Sequence, residues 1–435
     1  MTRSRALRSP CLLIGVLLLC AGCPDATLGS TSDGGVDSKV DLAAPVCANQ
    51  IVDGKLNVDI QAITLTGRIT VNGVVPPAER FGTVTLRNST TGDSVSLGTV
   101  TDASYLPKQI IPGVYDVYYA WDTTDTVNPP ALPRNQKALI RSGVTLTSTQ
   151  TFNVDIPTVT LSGQITVNGV VPPAERFGTV TLRNSTTGDS VSLGTLTDAS
   201  YLPKQIIPGV YDVFYSWDTT DTVNPPALPR NQKALIRSGV TLTSTQTFNV
   251  DIPTITLTGR ITVNGVVPPA ERFGTVTLRN STTGDSVALG MLTDASYTPK
   301  QIIPGVYDVF YSWDTTDTVN PPALPRNQKA LIRSGVTLTS SQTFNVDIQA
   351  ITLTGRITVN GVVPPAERFG TVTLRNSTTG DSVALGMLTD ASYTPKQIIP
   401  GVYDVYYAWD TTDTVNPPAL PRNLQANLGC VSILR

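Results

Sequence analysis

The stretch that decides the fold is Gln109-Ile-Ile-Pro-Gly-Val-Tyr-Asp-Val-Tyr-Tyr-Ala-Trp121. It returns almost unchanged, 96 residues later each time, at Gln205, Gln301 and Gln397. After the Pro-Gly turn the residues of an extended strand point alternately to opposite sides, so Tyr115, Val117 and Tyr119 share one face. The pattern predicts a core strand that occurs four times along the chain.

The length and composition divide the chain into similar units. A chain of 435 residues is too long for a single core, and a fixed internal period marks tandem domains. Apolar residues make up 40% of the chain and charged residues 15%, a balance that suits Thr- and Val-rich β structure and excludes a disordered chain.

Within one unit, several further short strands surround the core strand. Residues 63–71 alternate between apolar and polar side chains, which predicts a half-buried antiparallel strand that ends at the turn Asn72-Gly73. Residues 83–87 and 94–100 predict a hairpin, and residues 138–141 and 151–156 predict two more strands. The proline-rich residues 122–135 predict a long surface loop. The fold class is therefore all-β, with four tandem β-sandwich domains of 96 residues each.

The phase of the repeat gives the domain boundaries. Cys47 aligns with Gly143, and Cys430 falls where a fourth unit closes. The expected segments are a signal peptide at 1–22, a flexible tether at 23–46, repeats at 47–142, 143–238, 239–334 and 335–430, and a tail at 431–435. The tether is expected because its Gly, Ser, Thr, Asp and Ala residues leave almost nothing to bury.

The first 22 residues predict an export signal, because three arginines precede an apolar run at 11–21 that is too short to span a bilayer. The following Leu19-Cys20-Ala21-Gly22-Cys23 resembles the bacterial lipoprotein box. The resemblance implies that Cys23 is acylated and becomes the mature N-terminus of a protein anchored by lipid in the cell envelope, at the outer membrane or the cell surface. Ordinary signal-peptide cleavage stays open, because Cys20 stands where the box usually has Leu.

Four segments of each unit are similar to a known family of sandwiches. In the first unit they are residues 65–73, 82–86, 111–117 and 152–156, read as LTGRITVNG, GTVTL, IPGVYDV and FNVDI. They resemble carboxypeptidase-regulatory-like, transthyretin-like modules, and the resemblance covers nearly all of each unit. An Ig-like sandwich is the competing interpretation. Such modules are usually non-catalytic stalks or binding units, which implies a surface stalk, spacer or adhesin.

Catalytic chemistry finds little support in the residues. The chain has no histidine, which removes the commonest general base and the commonest metal ligand. Each unit has one glutamate, such as Glu79, with no second carboxylate fixed near it, and no serine lies in a nucleophile motif. We therefore expect that the protein is not an enzyme and has no catalytic residues. The net charge of −2 also offers no basic surface for nucleic acid.

One loop per unit carries oxygen ligands at spacings that suit calcium. The candidate ligands are Asp122, Asp125, Asp218, Asp221, Asp314, Asp317, Asp410 and Asp413. Asp and Asn also initiate turns without any metal, and that alternative explains the same residues. The tryptophan before each loop, Trp121 in the first unit, would suit stacking on sugars or packing in the core. A calcium- or glycan-binding array is therefore the alternative function, with surface polysaccharide or another envelope protein as partner besides the membrane.

Cys47 and Cys430 are the cysteines left after removal of the signal and acylation of Cys23. Export places them in an oxidising compartment, where free thiols tend to pair. Three arrangements stay open: closure of a four-unit ring, links between neighbouring molecules, and unpaired thiols. Since two-residue connections between units favour a rod, we expect unpaired thiols or occasional dimers.

Overall fold

The computed structural model describes residues 58–76, 82–99, 104–122, 132–172, 178–195, 200–218, 228–268, 274–291, 296–314, 324–364, 370–387, 393–411 and 420–434. The chain divides into two compact units, Met1–Asp59 and Ile60–Arg435. Of the first unit the structure describes Val58 and Asp59 alone. Within the described residues all regular secondary structure is β, and no helix is long and apolar enough to cross a membrane.

Among its described residues, repeat 1 is a β-sandwich of nine strands. They are β1 (Ile63–Gly67), β2 (Ile69–Val71), β3 (Gly82–Asn88), β4 (Ser94–Thr99), β5 (Tyr105–Ile110), β6 (Gly113–Trp121), β7 (Ala138–Leu146), β8 (Gln150–Thr151) and β9 (Val154–Ile156). One sheet has the order β4-β3-β6-β7, and the facing layer consists of β5-β1-β8 and β2-β9. Buried side chains from both layers form one core. The all-β sandwich expected from the sequence is confirmed.

Repeats 2 and 3 reproduce this arrangement strand for strand. Repeat 2 contains β10 (Val159–Gly163), β11 (Ile165–Val167), β12 (Gly178–Arg183), β13 (Ser190–Thr195), β14 (Tyr201–Ile206), β15 (Gly209–Trp217), β16 (Ala234–Leu242), β17 (Gln246–Thr247) and β18 (Val250–Ile252). Repeat 3 contains β19 (Ile255–Gly259), β20 (Ile261–Val263), β21 (Gly274–Arg279), β22 (Ser286–Met291), β23 (Tyr297–Ile302), β24 (Gly305–Trp313), β25 (Ala330–Leu338), β26 (Gln342–Thr343) and β27 (Val346–Ile348).

Repeat 4 has fewer strands than the others within the described residues. They are β28 (Ile351–Gly355), β29 (Gly370–Arg375), β30 (Ser382–Met387), β31 (Tyr393–Ile398), β32 (Gly401–Trp409) and β33 (Ala426–Ile433). The sheet β30-β29-β32-β33 is complete, whereas the facing layer is reduced to β28-β31. Counterparts of β2, β8 and β9 are not found in the part of repeat 4 that the structure describes.

The repeated stretch forms the central strand of each larger sheet, as its alternation predicts. In β6 the side chains of Tyr115, Val117 and Tyr119 are at most 1% exposed, and β6 lies between β3 and β7. The predicted hairpin is β3 paired antiparallel with β4. The turn after β2 has Asn72 at φ 47° and Gly73 at φ 77°, so both residues adopt the left-handed conformation that the Asn-Gly pair favours.

Residues 63–71 depart from the single antiparallel strand that the sequence predicts. The strand is interrupted at Arg68, and the register of β1 against β5 shifts between Leu65 and Gly67. β1 does pair antiparallel with β5, but β8 and β9 then run parallel to β1 and β2. The expectation was incomplete because alternation identifies a half-buried strand without identifying its neighbours.

β5 was not predicted from the sequence, because Pro107 interrupts its run of residues. Proline has no N–H to donate to a ladder, so it is tolerated where one side of a strand stays unpaired. β5 is the outer strand of the sheet β5-β1-β8, which meets this condition.

Strand pairing shifts the repeat boundaries toward the C-terminus. The expected boundaries after residues 142, 238 and 334 fall inside β7, β16 and β25. β8 and β9 pair with β1 and β2, so the chain between 143 and 156 completes the first sandwich rather than opening the second. The structural repeats are residues 63–156, 159–252 and 255–348 and the chain from 351 onward. The period and the number of units are unchanged.

Candidate functional site

The last part of the proline-rich loop is buried, contrary to the expected surface loop. Leu132 and Asn135 are both 0% exposed. The hydroxyl of Tyr119 donates to the carbonyl of Pro133 at 2.8 Å, and the N–H of Trp121 donates to the carbonyl of Asn135 at 2.8 Å. The core strand β6 therefore holds residues 132–137 in place, and we call these six residues the docking segment.

The side chain of Asn135 reaches out of repeat 1 into repeat 2. Its Nδ2 donates to a carboxylate oxygen of Asp189 at 2.5 Å and to the hydroxyl of Tyr211 at 3.0 Å. Its Oδ1 accepts from the N–H of Ile207 at 2.8 Å. All the side-chain groups of Asn135 are thus bonded to the next repeat, as a buried amide requires.

Main-chain bonds and an apolar contact accompany the asparagine. The N–H groups of Arg134, Gln136 and Lys137 donate to the carbonyl of Gln205 at 2.9 Å, the carbonyl of Ser190 at 3.2 Å and the carboxylate of Asp189 at 2.8 Å. The side chain of Ile207, 6% exposed, belongs to the buried core of repeat 1. We call the contacted surface the receiving face; its residues are Asp189, Ser190, Gln205, Ile207 and Tyr211.

The same junction occurs three times. Asn231 and Asn327 repeat the contacts of Asn135, donating respectively to Asp285 and Tyr307 and to Asp381 and Tyr403. The N–H groups of Ile303 and Ile399 donate to these asparagines at 2.8 and 2.9 Å. All three asparagines are 0% exposed. Successive repeats are therefore fixed to one another by one recurring set of bonds.

The junctions contain buried titratable groups. Burial raises the pKa of Asp285, while hydrogen bonds from Asn231 and from the N–H groups of Lys233, Ser286 and Gln232 lower it in part. Burial also raises the pKa of the three junction tyrosines, Tyr211, Tyr307 and Tyr403, to about 12. A neutral hydroxyl suits the site, because Tyr211 accepts a bond from Asn135 while donating to the carbonyl of Ile207 at 2.7 Å.

The candidate calcium ligands are only partly described. Asp122, Asp218, Asp314 and Asp410 directly follow β6, β15, β24 and β32. Asp125, Asp221, Asp317 and Asp413 lie outside the described residues. In the described part of the chain no three His, Cys, Asp or Glu side chains come together as a metal site would need. The calcium hypothesis stays a prediction.

Each tryptophan at the end of a core strand packs against an arginine of the docking segment. The guanidinium carbons of Arg134, Arg230, Arg326 and Arg422 lie 4.2–4.3 Å from the ring centres of Trp121, Trp217, Trp313 and Trp409. These cation–π contacts link the strand to the docking segment. They favour a packing role for the tryptophans, and glycan stacking stays a prediction.

The predicted lipid and thiol sites are mostly beyond what the structure describes. Cys23 and Cys47 lie outside the described residues. Cys430 lies in β33 opposite Asp404, with an exposed free thiol. Acylation of Cys23 and the pairing of Cys47 therefore stay predictions.

Comparison with known proteins gives distant structural likenesses alone. No family model and no curated protein matches the chain. Among solved structures, the TIE protein of Bacillus anthracis is similar at 11% identity over 87% of this chain and 74% of its own, with a TM-score of 0.18. A streptococcal ancillary pilin matches at 9% identity over 66% of this chain and 99% of its own, with a TM-score of 0.17. The pilus adhesin SpaC from Lactobacillus rhamnosus GG matches at 11% identity over 67% of this chain and 43% of its own, with a TM-score of 0.17.

Proposed function

We propose that the chain is a non-catalytic stalk or spacer of the bacterial cell surface, anchored by lipid and built from carboxypeptidase-regulatory-like modules. The observation that carries the proposal is the junction between repeats, which recurs three times with the same residues and nearly the same distances. A spacer needs units that keep a fixed relation to one another under load.

The buried groups of each junction resist separation of the two repeats. Each one buries an asparagine, a carboxylate, a tyrosine and an isoleucine, and a net hydrogen bond contributes about 1 kcal/mol. Breaking one of these bonds without admitting water leaves a buried charged or polar group without its partner, which costs more. Two residues alone, such as Pro157 and Thr158, connect consecutive sandwiches, so there is little chain to act as a hinge.

The lipid anchor rests on the lipoprotein box that ends at Cys23 and on the polar residues 24–46 that follow it. Acyl chains on a mature N-terminus would hold that end at a membrane, while the polar stretch would separate the first sandwich from the lipid surface.

One experiment tests both parts of the proposal. The chain is expressed in its bacterial envelope with a C-terminal tag, and the height of the tag above the membrane is measured by labelling and electron microscopy of vesicles. Deleting residues 159–254 removes one period and one junction but leaves Asn135 facing the receiving residues of repeat 3, such as Asp285 and Tyr307, so the tag should come closer by about 30 Å, the length of a nine-residue strand. The Cys23→Ala variant should release the tag into the soluble fraction. An unchanged height after the deletion would reject the spacer, and unchanged membrane association of Cys23→Ala would reject the anchor.

A further inference from the structure

An Asn-Gly turn in each of repeats 1–3 lies against the strand that closes the same repeat. We call β9, β18 and β27 the closing strands; they pair in parallel with β2, β11 and β20. In repeat 2 the turn has Asn168 at φ 49° and Gly169 at φ 75°, between Val167 and Val170, whose N–H and carbonyl groups bond each other at 2.8 and 3.0 Å. The main-chain N–H of Asn168 donates to the carbonyl of Ile252 at 3.2 Å, so the closing strand supports the turn directly.

The side chain of Asn168 holds the two-residue connector to repeat 3. Its Nδ2 donates to the carbonyl of Thr254 at 3.1 Å and to the hydroxyl of Thr254 at 2.8 Å. Its Oδ1 accepts from the N–H of Thr254 at 2.9 Å. The same pairing of an asparagine amide with the connector occurs in the neighbouring repeats, between Asn72 and Thr158 and between Asn264 and Ala350.

A carboxylate of the closing strand holds the N–H of the glycine. Gly169 donates to Oδ1 of Asp251 at 2.8 Å, and the hydroxyl of Thr166 donates to the same oxygen at 2.7 Å. The equivalent bonds of the other two repeats measure 2.7 and 2.8 Å and join Gly73 to Asp155 and Gly265 to Asp347. Turn, connector and closing strand therefore meet at one point in each of these repeats.

An asparagine followed by glycine is a chemically labile pair. The main-chain nitrogen of the glycine can attack the side-chain Cγ of the asparagine, because glycine has no side chain to hinder the approach. A bond from nitrogen to Cγ forms, the bond from Cγ to Nδ2 breaks, and ammonia leaves with the proton that the main-chain nitrogen gives up. Water then opens the resulting succinimide ring at either carbonyl, which gives aspartate or isoaspartate. The reaction needs no reactant other than water.

In the folded repeat both reacting groups are held by other partners. Attack requires the amide of Asn168 to turn away from Thr254, which breaks its bonds to the connector. Attack also requires Gly169 to lose its proton, and the negative charge of Asp251 disfavours a negative nitrogen beside it. A net hydrogen bond changes an opening equilibrium by a factor of about five, so three such bonds slow the reaction about a hundredfold.

We propose that Asn168, with its counterparts Asn72 and Asn264, is a latent modification site that deamidates when the closing strand leaves the turn. The aspartate of the closing strand protects the site in the folded repeat, and its departure exposes the N–H of the glycine to the reaction. Loss of ammonia to the solvent makes the change permanent. The modification itself does not depend on the proposed stalk function.

The product cannot restore the connection between the turn and the connector. A carboxylate has no N–H to donate, so it would face the carbonyl of Thr254 that accepts from Nδ2 in the intact turn. Isoaspartate also lengthens the main chain by one carbon atom inside the tight hairpin between Val167 and Val170. A repeat that has stayed open long enough to react would therefore keep a looser connector after it closes again.

Repeat 2 allows the reaction to be followed at one site. Gln164 stands where the other repeats have arginine, so trypsin releases Asn168 within residues 142–176, whereas the other Asn-Gly pairs appear in one shared peptide, ITVNGVVPPAER. The purified full chain is incubated in mildly alkaline buffer with and without urea, and loss of the amide is read from the peptide masses. The native chain should lose the amide of Asn168 about a hundredfold more slowly than the unfolded chain.

Asp251→Ala tests the protecting carboxylate. Asp251 is exposed, so its truncation leaves the core intact, and the freed N–H of Gly169 should speed the loss of the Asn168 amide about tenfold or more. The shared peptide should keep its wild-type rate in the same sample. Thr166→Ala is the matched control, because it removes the other bond to the same oxygen and leaves the bond from Gly169. Its rate should stay within about twofold of the wild type.

Three results would each overturn the proposal. They are equal rates in the native and the urea-treated chain, an Asp251→Ala rate that is unchanged or slower, and an acceleration in Thr166→Ala as large as in Asp251→Ala. A slower Asp251→Ala would mean that the carboxylate assists the attack as a base. If hydrogen exchange shows that repeat 2 of Asp251→Ala does not fold, Asp251→Asn decides, since it keeps an acceptor and loses the charge. Its rate should then exceed that of the wild type, and an equal rate would reject the protecting role.

Discussion

Replacing Asn231 by Ala should uncouple repeat 2 from repeat 3 and cost about 3 kcal/mol at their junction. The variant loses the bonds from Nδ2 to Asp285 and Tyr307 and leaves the N–H of Ile303 without its acceptor. An unsatisfied buried group costs about 1–3 kcal/mol, and more when it is charged. In a tandem array, stability is the sum of the repeats and their interfaces, so a lost interface lowers cooperativity.

Urea unfolding of the full chain should therefore become broader, with a smaller dependence of the free energy on urea concentration, and hydrogen exchange should increase around Asn231. Asn423→Ala is the matched control. The same side chain is exposed there, so the loss should stay below about 0.5 kcal/mol. Equal losses in the two variants would show that the buried asparagine does not stabilise the junction.

Replacing Gly163 by Ala should open the closing side of repeat 2. A Cβ at this position would lie 2.3 Å from the carbonyl oxygen of Phe248, far inside van der Waals contact. That oxygen is main chain, and Phe248 is held by its N–H bond to the carbonyl of Ser162 at 2.7 Å. Relief of the clash therefore has to separate the two segments, at a cost of about 2–3 kcal/mol, as for other overpacked sites.

Gly355→Ala provides the comparison in repeat 4. Its nearest neighbours are side-chain atoms of Tyr393, the closest 2.8 Å away, and a side chain can turn aside where a main chain cannot. We expect a loss of less than about 1 kcal/mol for that variant. The opening can be measured by hydrogen exchange of peptides that contain Gln164. These peptides identify repeat 2, because the other repeats do not have glutamine at the equivalent positions. A Gly163→Ala chain with unchanged exchange there would contradict the steric argument.

Much of the sandwich could be predicted from alternation and turn residues. Tyr115, Val117 and Tyr119 were placed in a core, and the turn at Asn72 and Gly73 was predicted, because both patterns are local. The parallel pairing of β8 and β9 was not predicted, since it joins residues 85 positions apart, such as Arg68 and Asn153. Contacts of that range leave no mark on the period of a single strand.

The junction was the part of the site that the sequence concealed. Leu-Pro-Arg-Asn recurs in every unit, but prolines and an asparagine ordinarily indicate a loop. Asn135 is buried because the next repeat supplies Asp189 and Tyr211, and neither partner lies near it in sequence. One signal of the junction was present: the tetrapeptide and the aspartate keep a fixed spacing in every unit. The first unit does not reveal this signal, because the turn around its aspartate, Asp93, is exposed.

The parallel closing strand has a mechanical consequence. When a repeat is pulled by its two ends, the force acts at the start of its first strand and at the end of its last strand. Because these two strands pair in parallel, the two points of attack lie at opposite ends of the hydrogen-bonded pair. The force is then directed along the strands. In repeat 2 this force would load three hydrogen bonds in shear at the same time, from Phe248 to Ser162, from Val250 to Gln164 and from Asn168 to Ile252.

An antiparallel terminal pair would instead break its bonds one after another at a lower force. We expect single-molecule stretching of the full chain to show three strong unfolding events and one weak event from repeat 4, where β28 and β31 stand without such a clamp in the described residues. Four equal events would contradict this expectation. Repeat 4 would then yield first, leaving the three clamped repeats to carry the tension.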